Sequence, residues 1–147
     1  MSNILKIPCI AALGLVVCWV SGCDDGGAAD AIRKRRSNLQ QLGIAYQGYY
    51  QDNKRSAGNA GELLGFMEPQ READPQVRDA ITSLAEGDIV MAWGGRLEDP
   101  ATSAKFVLGF EAGVPSTGGY VVMGDGTVRL MTAKDFSEAS LLPAQAD

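Results

Sequence analysis

The chain has 147 residues, a length that suits one domain, and its 46% hydrophobic and 21% charged content is that of a globular protein. A formal charge of −5 argues against a general nucleic-acid binder. There is no histidine, and Cys9, Cys18 and Cys23 all lie near the N-terminus, so the chain beyond Cys23 has no thiol chemistry, no Cys/His zinc site and no Ser–His or Cys–His nucleophile pair.

Residues 1–22 read as an export segment. Lys6 supplies a minimal positive start, and Ile7 to Val20 form an apolar run broken only by Pro8 and Gly14. That run is shorter than the roughly 20 residues a membrane-spanning helix needs. It ends in Val20-Ser21-Gly22-Cys23, which resembles the bacterial lipobox. Small side chains at Ser21 and Gly22 let the extended backbone enter a peptidase site, and the Cys23 thiol accepts diacylglycerol. Each acyl CH₂ buried in a bilayer contributes about 0.8 kcal/mol, so a diacylated cysteine anchors stably. The resemblance implies a lipoprotein of the bacterial cell envelope, membrane-anchored through acylated Cys23 and facing the periplasm or the exterior. The other readings are an ordinary secretory signal and an uncleaved anchor.

Residues 23–30 read as a lipid-anchored flexible tether, since Asp24 to Asp30 hold glycine and small residues with no core former. A single α+β domain is expected over residues 31–142, with residues 143–147 fraying. Asp30 is the expected N-cap of a long helix reaching about Asn53. Ile32, Leu39, Leu42, Tyr46 and Tyr49 recur at helical spacing and make its apolar stripe. Gly43 within that stretch suggests close packing. Arg33, Lys34, Arg35 and Arg36 open the helix and have three readings: a solvated helix end, a contact with anionic lipid headgroups, or a nucleic-acid patch. Four cations in the first turns would oppose the helix dipole and favour an external anion.

Glu62 to Phe66 suggests a short helical turn. Asp74-Pro75 starts a second helix, continued by Val77, Ala80, Ile81 and Leu84 and ended by Gly87. Strands are expected over Asp88 to Trp93 and Lys105 to Glu111. Asp125-Gly126 between two apolar runs predicts a type I′ hairpin with a two-residue turn. Gly124 would then pair with Thr127. That register gathers Val121, Met123, Val128 and Leu130 on one apolar face and Tyr120, Val122, Arg129 and Met131 on the other. Short connections imply a four-stranded antiparallel meander. Thr132 to Asp135 resembles a capping box for a short helix through about Leu142.

Two segments carry a family resemblance. Arg35-Arg36-Ser37-Asn38-Leu39-Gln40-Gln41-Leu42-Gly43-Ile44-Ala45-Tyr46 and Gly124-Asp125-Gly126-Thr127-Val128-Arg129 resemble the helix and the closing hairpin of pilin-like proteins of planctomycete-type bacteria. These are similar to type II secretion pseudopilins. The resemblance implies a long N-terminal helix packed on a small antiparallel sheet. Pro115 stands where the family's histidine would be, and a lipobox replaces the prepilin start. Pilin assembly depends on the hydrophobic N-terminal helix that follows a prepilin start, so assembly into a fibre is not implied.

Candidate chemistry is thin. Asp24/Asp25, Glu98/Asp99 and the looser Asp125 and Glu111 are the carboxylate pairs, and each suits a solvated tether, loop or turn. Asp52 with Glu62, Glu68 or Glu72 could ligate Ca²⁺, but no twelve-residue calcium loop is present. Tyr46, Tyr49, Tyr50, Trp93, Phe106, Phe110 and Tyr120 suit a core or, alternatively, an aromatic-lined groove. Tyr120, Val122, Arg129 and Met131 form the candidate partner surface if no helix covers that hairpin face, while Asp125 and Gly126 read as turn residues. The expectation is a structural or protein-interaction role at the envelope, with no catalysis, cofactor, metal or nucleic-acid partner. The alternative is an envelope module binding a small ligand or peptide; a carboxylate-dependent hydrolase would need converging acids.

Overall fold

The apolar stripe of the first helix sets the architecture. The computed structural model describes residues 25–97 and 99–144, so the export segment, Val20, Ser21, Gly22, Cys23 and Glu98 lie outside the described residues. Helix α1 spans Asp25–Asn53. It begins five residues ahead of Asp30, and residues 25–30, expected as a flexible tether, are its first turns. Leu39, Leu42, Tyr46 and Tyr49 are buried as their spacing requires, whereas Ile32 is 42% exposed because no other element covers its turn. Lys54 ends the helix at φ 56°, its N–H donating to Tyr50 O at 2.9 Å.

Helix α2 (Ala60–Met67) is capped by the Asn59 side chain, which accepts from Glu62 N, and runs into a 3₁₀ turn at Glu68–Gln70. Helix α3 (Pro75–Glu86) starts and stops where its local residues dictate. Asp74 accepts from Gln76 N at 2.8 Å, Pro75 occupies the first position, and Gly87 closes it at φ 83°. Val77, Ala80, Ile81 and Leu84 turn inward toward α1.

Strands β1 (Ile89–Met91), β2 (Phe106–Glu111), β3 (Gly119–Met123) and β4 (Val128–Met131) pair antiparallel in that order. Short helices α4 (Pro100–Ser103) and α5 (Val114–Thr117) fill two connections. Helix α6 (Ala133–Glu138) opens on the expected capping box at Thr132 and Asp135. The sheet separates two apolar layers. Leu108 and Val122, with Tyr120 and Val128, pack toward α1, while Val107, Val114, Val121 and Met123 pack with Phe110, Met131 and Phe136 on the far side.

Two expectations need correction. The helix expected through Leu142 stops at Glu138, and Ser140–Leu141 forms β5, parallel to β2. Leu142 is then buried against Gly95, and Ala144 bridges Gly95, so part of the segment expected to fray is fastened to the sheet side. Its fastening comes from Leu142, an apolar side chain that gains by leaving water.

The hairpin register is the second correction. Val122 pairs with Val128 and Val121 with Arg129, one residue off the expected pairing. Gly126 N–H donates to Met123 O at 2.9 Å, and Met123 N–H donates to Thr127 O at 2.8 Å. The loop therefore has three residues, with a turn at Gly124-Asp125 and Gly126 left-handed at φ 83°. A type I′ turn would place Asp125 at positive φ as well. Asp125 instead avoids that conformation and accepts from Thr127 N and Oγ1 at 2.9 and 2.7 Å. A one-residue slip moves each β4 side chain to the opposite partner set: Tyr120, Val122, Val128 and Leu130 share one face, and Val121, Arg129 and Met131 the other.

Candidate interaction surface beside the first helix

A groove of about 510 Å³ runs between the N-terminal half of α1 and the β3–β4 hairpin. Ile32, Tyr120, Leu130 and Met131 give it apolar walls, and Leu130 is 70% exposed. Its back wall is a carboxylate. Glu111 Oε2 accepts from Tyr120 N at 2.7 Å, and Arg35 Nε stands 3.4 Å from Glu111 Oε1. Gly119 permits this approach, since a Cβ there would lie 2.5 Å from Glu111 Oε2. The same ion pair borders a neighbouring cleft of about 380 Å³, where Asn38 Nδ2 donates to Ser83 Oγ at 2.7 Å.

The sequence-predicted partner surface is divided. Tyr120 and Met131 line the groove, Val122 is fully buried beneath α1, and Arg129 is exposed on the other face of β4. The register slip separates Val122 from Arg129, and the close seating of α1 on the hairpin covers Val122. A Cβ on Gly43 would stand 2.8 Å from Val122 Cγ2 and 3.6 Å from Gly126 Cα.

The basic run also changes meaning. Because α1 starts at Asp25, Arg33 to Arg36 fall beyond its first turn, where the dipole is felt least. Arg33 pairs with Asp30 at 3.3 Å, Lys34 with Asp79 at 3.1 Å, and Arg35 with Glu111. Arg36 has no acidic partner among the described residues. An external anion is thus not required to neutralise the run as a whole.

The looser carboxylate pair Asp125 and Glu111 is split, although Asp125 and Asp99 border one cleft. Asp125 borders a separate cleft of about 300 Å³ with Gln47, Tyr50, Gln51, Asp99 and Ser103, whereas Glu111 faces the groove. Asp99 caps α4, and the Thr102 N–H at 2.9 Å holds its carboxyl below the usual carboxylate range. Among the described residues no group of three Asp, Glu or Cys side chains is placed to hold a metal ion. Most of the aromatics serve the core: Tyr46 lies 6.4 Å from Trp93, Tyr49 meets Phe66 edge-on at 5.7 Å, and Phe110 meets Phe136 at 4.7 Å.

One cluster was not visible in the sequence. Glu62, considered above as a calcium ligand, accepts from Arg55 Nη1 at 2.8 Å, Tyr49 OH at 3.0 Å and Gly58 N at 3.0 Å. Arg55 also lies over the Tyr49 ring, 5.5 Å from its centroid. These contacts tie the end of α1 to the start of α2, and no short motif announces them. The Arg55 hydrogen bond, followed by those from Gly58 and Tyr49, lowers the Glu62 carboxyl to about 2. A depressed folded-state value stabilises the fold above the unfolded carboxylate range, and that contribution fades as pH falls toward 2. Glu62→Gln is therefore expected to lower the thermal midpoint at neutral pH and to flatten its decline under acid. A decline identical to that of the unsubstituted protein would contradict this role.

No protein-family model, characterised protein or solved structure is detectably similar to this chain, so the functional reading rests on its own residues.

Proposed function

We infer that this chain is a lipid-anchored protein of the bacterial cell envelope, with a pilin-like domain in a structural or protein-interaction role. The observation that carries the interaction role is the apolar groove beside the first turns of α1, where Leu130 and Ile32 remain exposed. Anchoring is supported by Val20-Ser21-Gly22-Cys23, two residues ahead of a helix that runs unbroken into the core. The pilin-like reading is supported by the long helix laid on an antiparallel sheet. It is supported further by the meeting of the two resembling segments, Gly43 of the helix packing beside Gly126 of the hairpin. The lipobox in place of a prepilin start and its hydrophobic helix argues for a single anchored domain over a fibre subunit.

A second reading, capture of a small ligand or peptide, draws on the cleft of about 300 Å³ bordered by Gln47, Gln51 and Asp99. That volume lies at the lower end of the roughly 300–1,000 Å³ typical of ligand sites. Cys23→Ser is expected to abolish incorporation of labelled fatty acid and to release the protein from membranes. Unchanged membrane retention would remove the lipoprotein reading.

A further inference from the structure

Ile32 and Leu130 are large apolar side chains left 42% and 70% exposed on facing sides of one groove. Ile32 lies seven residues beyond Asp25, about 10 Å along the axis at 1.5 Å per residue. Cys23 precedes Asp25 by two residues, so the rim sits close to where an acylated cysteine would enter a bilayer. Arg36 follows Ile32 by one helical turn and shares its face. It is also the member of the basic run with no acidic partner among the described residues. Of the two acids at the groove, Glu111 is ion-paired with Arg35, and Asp135 is turned to its cap on Thr132, with no ion pair among the described residues. An apolar rim beside an unneutralised cation matches the chemistry of an anionic lipid surface, which attracts the cation and accepts the apolar side chains below its headgroups.

We propose that the Ile32–Leu130 rim, with Arg36, seats the domain against the anionic surface of the bilayer that holds its own lipid anchor. The docking rests on the proposed acylation of Cys23, and it narrows the interaction role of this groove from a protein partner to lipid. It gives the anchor a further consequence: the domain takes one orientation on the membrane, with the helix end and the β4 edge turned toward lipid. The β1 side and α3 then face away from the membrane.

The mature chain has no cysteine beyond Cys23, so a single introduced thiol reports one position. Leu130→Cys and, on the exposed side of α3, Ala85→Cys are labelled with an environment-sensitive dye. The acylated proteins are reconstituted in vesicles of phosphatidylethanolamine and phosphatidylglycerol carrying a shallow nitroxide quencher. The dye at position 130 is expected to shift blue and lose most of its emission, and the dye at position 85 to do neither. Arg36→Glu in the Leu130→Cys protein is expected to restore emission. Equal emission from positions 130 and 85, with lipid present on Cys23 by mass, overturns the docking and leaves the anchor standing. Protein with unmodified Cys23 overturns both together. Loss of emission that depends on protein density and not on the nitroxide assigns the rim to a second copy, and also overturns the proposal.

Discussion

Tyr46→Ala is expected to destabilise the domain by about 3–5 kcal/mol, the cost of removing a fully buried large aromatic. Tyr46 is 0% exposed at the centre of the layer between α1 and the sheet, beside Trp93. A domain of this size has a total stability of about 5–15 kcal/mol, so the loss removes a large fraction of it. Burial pushes the Tyr46 phenol pKa up, against hydrogen bonds to Ser56 and the Gly95 and Gly94 backbone. The hydroxyl itself contributes little, because its 3.4 Å bond to Gly95 O is long and the Ser56 hydroxyl donates to the same oxygen. Tyr46→Phe is therefore expected to cost about 1 kcal/mol or less. Urea unfolding of the two variants checks the division. Equal losses would show that the hydroxyl, and not the ring, holds the layer.

The second large effect lies at Gly43. Replacing glycine by alanine in a helix interior favours the helix by about 1 kcal/mol, but a Cβ here would press on Val122 Cγ2 at 2.8 Å. Overpacking of a filled core costs about 1–3 kcal/mol, so Gly43→Ala should fall near zero or lose slightly. Gly43→Leu has no space at the Gly126 backbone either, and should lose about 3 kcal/mol or more. Combining Gly43→Ala with Val122→Ala should recover part of the loss, with a coupling of about 0.5–3 kcal/mol. Strict additivity would mean that α1 does not seat on the hairpin through this contact.

The elements governed by local chemistry were legible. Helix α3 follows from Asp74, Pro75 and Gly87 acting within a turn of themselves, and α6 opens on Thr132 and Asp135 as their spacing requires. The stripe of α1 identified Leu39, Leu42, Tyr46 and Tyr49 correctly. What failed depended on contacts far along the chain. The choice between a two- and a three-residue loop at Asp125-Gly126 turns on whether Asp125 takes positive φ, and the Thr127 amide offers its side chain a better state. Ser140–Leu141 becomes a strand because β2 leaves room beside Phe106 and Val107, which no local pattern encodes.

The candidate site was legible only in part. Tyr120 and Met131 were named from the hairpin, and both line the groove. Ile32 was assigned to the core by its spacing, and the shortfall of covering elements at that end of α1 cannot be read from periodicity. Leu130 was grouped with Val121 and Met123 by the register error; it shares the face of Val122 instead, at an end that α1 leaves uncovered. The Arg35–Glu111 pair links residues far apart in sequence, so the basic run looked freer than it is.

The proposed membrane anchoring links the lipobox to the exposed groove, and intact-mass measurement of the protein extracted from membranes tests it most directly. The account predicts a chain that begins at Cys23 and carries the added mass of a diacylglyceryl group, with or without an N-linked acyl chain. A chain that begins elsewhere, or a Cys23 of unmodified mass, would contradict it.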